Sequence, residues 1–165
     1  MADTELATLT GVLRGKRAHV LEILTGLDEE ALRRPVLPSG WSCLGLVHHL
    51  ALDDEKFWFR AVAAGEPAAI EEILSATEDA WQLPADLTAA QILDRYRRES
   101  ALADAVLATA DLDAAPAWWP DFFGGWRYDT LREVVLHVIT ETATHAGHLD
   151  AVRELIDGRQ HLVLG

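Results

Sequence analysis

The last stretch of the chain reads as one long, uninterrupted helix, and that constrains the fold more than any other feature. Thr130 and Glu133 have the spacing of a capping box that opens a helix, and Gly158 is the kind of residue that closes one. Between them Val134, Val138, Leu149 and Val152 fall along one side. A helix of this length must bury that side against other elements. The rest of the chain offers no hairpin signal and no convincing alternating strand, so the partners are helices. The first is expected from about Thr4 to Gly26, with Leu6, Leu9, Leu13, Val20, Leu21 and Leu24 on its apolar side. Arg34–Gly40 is turn-rich and reads as a connection. Ser42 then caps a second helix that runs through His48, His49 and Phe57–Phe59 until Gly65 and Pro67 stop it. Residues Ala68 to Ala85 read as a short helix and an irregular crossing. A third long helix spans Thr88 to about Thr109, its apolar set including Ile92, Tyr96, Val106 and Leu107. The expected fold is all-α: a four-helix bundle with a short extra helix between helices two and three.

Helix four carries polar groups where core is expected. His137, Glu141, His145 and His148 recur at spacings of four, four and three, which keeps them within a strip roughly 80° wide. Buried polar and ionisable groups are costly unless something satisfies them. A metal ion is the simplest single partner for a carboxylate and an imidazole one turn apart, as Glu141 and His145 are. Two ligands from one helix do not make a tight site, and bundles complete such sites from a facing helix. The donor on helix two is His48 or His49; helical phase does not decide between them. The competing reading of Glu141 and His145 is an ordinary helical ion pair. Three protein ligands would leave positions open for water or substrate, the arrangement of a catalytic site.

Bulk properties exclude several classes. The 165 residues suit a single domain, 1–165, and carry 14 Lys and Arg against 27 Asp and Glu, a net charge of -13. Such a surface repels phosphate backbones and anionic lipid, so nucleic acid and membranes are not expected partners. No run approaches the roughly 18 apolar residues of a membrane span, and the N-terminal residues lack a signal-peptide pattern, so a cytoplasmic location is expected. One cysteine, Cys43, excludes an intramolecular disulfide. It falls in the first turn of helix two, where the dipole could lower its pKa, although an inert, half-buried thiol is the plainer reading. Five bulky aromatics between Trp118 and Trp126 precede helix four; they cap the bundle end or line the mouth of a pocket. Arg127, Arg132 and Arg153 are either solvated or available to an anionic substrate.

The segments SGWSCLGLVHHLALDDEKFWF and LREVVLHVITETATHAGHLDAVRELIDG resemble the two signature regions of the DinB-like superfamily. The nearer likeness is to the branch that includes mycothiol-dependent maleylpyruvate isomerase. The resemblance covers about 50 of the 165 residues directly, and helix count and lengths agree over the rest. It implies a divalent metal, zinc or alternatively nickel, held by His49, Glu141 and His145. Many members have three histidines; the Glu at 141 is similar to the isomerase arrangement. This leaves His148 and His137 either as groups that contact substrate or support the metal ligands, or as residues that fill and hydrogen-bond within the bundle; His148, one turn beyond His145 on the same face, is the candidate general base, and mid-helix Gly147 would let substrate or a neighbouring helix come close. The implied activity uses a low-molecular-weight thiol such as mycothiol, transferred to a small electrophile or used to isomerise one. A metal with an open position binds the thiol sulfur and lowers its pKa, so no catalytic cysteine of the protein is required. A metal-dependent hydrolase and a non-enzymatic stress or binding protein are the alternatives, and a homodimer is the assembly the resemblance implies.

Overall fold

The computed structural model describes residues 2–77 and 79–161, so the residues of the expected 1–165 domain at 1, 78 and 162–165 lie outside the description. The described residues are helical, with no strand. Helix α1 spans Ala2–Ile23 and gives way to turns that end at Gly26, whose φ of 87° suits glycine. A short α2, Glu29–Arg33, follows, capped by the Asp28 side chain accepting from the Ala31 N–H at 2.8 Å. It adds one element to the expected set. Ser42 caps α3, Cys43–His49, which runs without a break into a wider π-helical stretch over Leu50–Ala63. Together they form one rod, α3 below. Pro67 opens α4, Pro67–Ser75, the expected short extra helix. Complete capping boxes, Thr88 with Gln91 and Thr130 with Glu133, open α5 (Ala89–Leu107) and α6 (Leu131–Asp157). Gly158, left-handed at φ 77°, closes α6 as its sequence position predicts. No helix among the described residues is long and apolar enough to cross a membrane.

The long helices pack in the order α1, α6, α3, α5 around the bundle. Helices α1 and α6 run parallel: Arg132 at the start of α6 bonds Glu5 at 2.9 Å, and Arg153 near its end donates to the Ile23 carbonyl at 2.7 Å. Helix α3 runs antiparallel to α6, with His49 beside His145 and Trp58 beside His137.

The core divides into two apolar clusters. One holds Val20, Ile23, Leu46, Leu50, Ile92, Tyr96 and Leu149; the other holds Leu13, Phe59, Val62, Leu107, Val134 and Val138. Every long helix passes from one to the other through polar residues: Arg17 on α1, Asp54 and Glu55 on α3, Glu99 on α5, Thr142 and His145 on α6, all buried. This polar layer across the middle of the bundle contains the candidate site.

Candidate active site

The two adjacent histidines of α3 separate cleanly. His48 is buried and faces α5, its Nδ1 donating to the Ala80 carbonyl at 2.7 Å and its Nε2 accepting from Arg95 at 3.0 Å. Burial lowers its pKa and keeps the ring neutral. His49 faces α6, its ring meeting that of His145 edge to face at 5.1 Å between centroids. Its Nδ1 lies 2.8 Å from Asp53 Oδ2. An Nδ1–H donated to that carboxylate leaves the Nε2 lone pair pointing into the layer.

On α6, Glu141 Oε2 lies 3.5 Å from His145 Nε2. Burial first, and then the neighbouring His49, push the His145 pKa down to about 4, so it is a neutral donor near pH 7. The second ring nitrogen of His145 meets His148 Nδ1 at 3.3 Å. His148 is exposed and stands behind His145, away from the cavity that Glu141 lines. Helix α6 thus brings Glu141 and His145 together facing His49. Gly147 is exposed, and a Cβ there would meet nothing within 4 Å, so no neighbouring helix approaches at that point.

Asp54 is the residue that sequence phase does not identify. In an α-helix a side chain five residues past His49 lies about 140° around the axis. The π-helical hydrogen bonds of this stretch reach five residues back, as Ala64 N to Phe59 O does at 3.0 Å, and bring i and i+5 to nearly the same side. Asp54 Oδ2 therefore stands 3.9 Å from His49 Nε2. It is buried and has no hydrogen-bond partner among the described residues. Burial, reinforced by Glu141, raises its pKa well above the usual carboxylate range. The Tyr96 hydroxyl is likewise without a partner, but a neutral group costs far less to bury than a carboxylate.

A cavity of about 310 Å³ opens onto His49, Asp54 and Glu141. Its other walls are Asp53, Phe57, Trp58, Ile73, Phe122, Phe123 and His137. The aromatic loop therefore does both things its sequence suggested. Trp119 packs on Trp58 and Tyr128 while Phe122 and Phe123 form the mouth. Burial lowers the His137 pKa, and its ring lies against Trp58 at 4.6 Å. A larger groove, about 670 Å³, shares Asp53, Phe57 and Ile73 with this cavity and carries Lys56, Arg60, Arg95 and Arg98. The site is roofed by Trp81, from the irregular crossing after α4, stacked on His49 at 4.3 Å. Its approach requires Gly45, where a Cβ would fall 2.8 Å from the Trp81 carbonyl oxygen.

Other residues singled out in the sequence lie away from this chemistry. Arg132 is paired with Glu5 and Asp113, and Arg153 with Asp157 and two carbonyls, so both are structural. Arg127 lies 3.8 Å from Asp129. Cys43 is fully buried, and burial outweighs a backbone hydrogen bond and the charge of Arg153 to push its thiol up to about 11.

The donor set fits a divalent cation: the imidazoles of His49 and His145, Glu141, and a buried carboxylate oxygen with no partner of its own. The approaches among them are pairwise. Among the described residues, the grouping of three whose ligand atoms all lie within 4.8 Å of one another is His19 on α1, Asp150 on α6 and His161 beyond its end, away from this layer. No curated protein matches the chain. The family model described as mycothiol-S-transferase matches residues 8–158, which takes in α5, α6, the α3 rod and the whole candidate site. The chain belongs to the mycothiol-S-transferase family.

Proposed function

We propose that the protein is a metal-dependent thiol S-transferase that joins the sulfur of a mycothiol-like thiol to a small electrophilic carbon, or isomerises the electrophile through such an adduct. Family membership supports a mycothiol-related transferase. The observation that carries the finer reading is the partnerless Asp54 carboxylate facing His49 across a cavity that also exposes Glu141. His49, Glu141 and His145 would hold a zinc-like ion, with nickel as the alternative. When bound, such an ion supplies a positive centre that lowers the pKa of a thiol beside it.

The chain's own groups divide the remaining work. Asp53 fixes the tautomer of His49, and His148 orients His145 from its far nitrogen. Asp54, whose buried Oδ2 has no other partner and faces His49, accepts the S–H proton as the sulfur–carbon bond forms. The protonated Asp54 then returns that proton to the carbanion or to the departing group, which balances the step. The aromatic mouth, Phe57, Trp58, Phe122 and Phe123, takes an apolar electrophile and excludes water from the thiolate. The polar groove beside it receives the hydrophilic body of the thiol through Lys56, Arg95 and Arg98.

The test is conjugation of a simple electrophile such as a bimane, with zinc-loaded and metal-free protein and with mycothiol, bacillithiol, glutathione or cysteine as the thiol. Consumption that needs both the ion and a thiol, and that survives Cys43→Ser, is the expected result. Metal-dependent turnover without any thiol would replace this reading with hydrolysis. No turnover of any kind would favour a binding protein.

A further inference from the structure

A second group of metal-ligating side chains lies on the other side of α6. Asp150 is five residues past His145, about 140° around the helix, and so faces α1 and not α3. There its Oδ1 is 2.7 Å from His19 Nε2. The chain beyond α6 turns back over this seam. Arg159 donates to the Thr25 carbonyl at 2.9 Å, and Gln160 donates to Glu154 at 2.9 Å. His161 then stacks on His19, with 3.8 Å between ring centroids and 19° between planes. Stacking sets the two imidazole edges side by side against one carboxylate, with the three ligand atoms within 4.8 Å of one another.

We propose that His19, Asp150 and His161 form a second divalent-cation site, of the zinc class, that latches the segment after α6 onto the α1–α6 seam. Two imidazoles and one carboxylate are a zinc-type donor set, and a water would complete four-coordination. Zinc–ligand bonds of about 2.0–2.2 Å place neighbouring donors roughly 3.3 Å apart. The His19–Asp150 hydrogen bond need therefore open by only about half an ångström. All three side chains are partly buried, so the ion is reachable from solvent yet shielded on the protein side. The three donors come from α1, α6 and the following segment, so the ion cross-links elements far apart in sequence. This site shares no residue with the one proposed for catalysis and stands or falls separately.

The test titrates zinc alone into the full chain by calorimetry. His49→Ala/His145→Ala protein lacks the first site and should still bind about one zinc; adding His161→Ala should remove it while the circular dichroism stays helical. In the wild type, zinc should shift the imidazole nitrogen resonances of His19 and His161. With zinc about tenfold above its Kd, amide exchange over residues 159–161 should slow about tenfold. A double variant that binds no zinc, a triple variant that binds as much as the double, or unshifted His19 and His161 resonances would each overturn the proposal. Loss of zinc from the wild type on His49→Ala/His145→Ala alone would do the same, and would leave the catalytic reading intact.

Discussion

Asp54 and Glu55 are neighbours on one helix, both buried in the same polar layer, and their surroundings differ completely. Glu55 faces α1, where Arg17 donates to both of its oxygens, from Nε at 2.6 Å and from a terminal nitrogen at 2.5 Å. Arg17 also reaches Asp104 at 2.7 Å, so that half of the layer is an internally satisfied ion network. Asp54 faces α6; it meets His49 of its own helix only at 3.9 Å, and across from it Glu141 is a second carboxylate whose charge works against its own. A buried charge with its partner in the chain holds the bundle together. A buried carboxylate whose neighbours are another carboxylate and imidazoles beyond hydrogen-bond reach is arranged for a partner the chain does not supply.

The contrast predicts substitutions of opposite sign. Arg17→Ala leaves Glu55 as an uncompensated buried charge and should cost about 3–5 kcal/mol in denaturant unfolding. Replacing both partners, Arg17→Met with Glu55→Leu, should recover most of that loss. If Arg17→Ala were neutral, the satisfied half of the layer would not be the structural half.

Asp53→Ala acts on the other side by freeing the His49 ring from its orienting carboxylate. Zinc affinity at that site should fall about 10–100-fold, measured in a His161→Ala background so that one site is read, with helical content unchanged. An unchanged affinity would remove Asp53 from the account.

The smallest effect is the most diagnostic in sign. Asp54→Asn should stabilise the metal-free protein at neutral pH by about 1–2 kcal/mol while lowering turnover. The folded pKa of Asp54 is raised above its ordinary value of 3.8. Below about pH 4 both folded and unfolded states hold the proton and there is no penalty. As pH climbs from there through the raised folded value, the unfolded state loses its proton first and wild-type stability falls. The advantage of Asp54→Asn should grow across that window. Thermal melts between pH 4 and 8 measure it, and an advantage that shrinks with pH would show Asp54 to be ionised and satisfied in the fold.

The boundaries of the bundle were legible because its helices announce their ends chemically. Ser42, Thr88, Thr130 and Gly158 each act at the terminus their type predicts. Glu141 and His145 were legible as neighbours because α6 is regular. Even the Arg17 network leaves a trace, since Arg17 interrupts the apolar stripe between Leu13 and Val20. What α-helical phase could not resolve lies on α3. Its π-helical turns redirect Asp54 toward His49, and a regular α-helix would point it away. Nor could phase choose between His48 and His49, because the choice depends on the Ala80 carbonyl and Arg95 taking up His48. Trp81 comes from an irregular segment with no periodicity at all, and only the missing Cβ of Gly45 hints that something approaches there.

The central claim is that the unsatisfied half of the polar layer is a cation site. Anomalous diffraction at the zinc edge from zinc-loaded crystals tests it most directly. The account predicts a peak within about 2.0–2.2 Å of ring nitrogens of His49 and His145 and a carboxylate oxygen of Glu141. A zinc-loaded crystal with no peak between α3 and α6, whatever appears at His19, would contradict it.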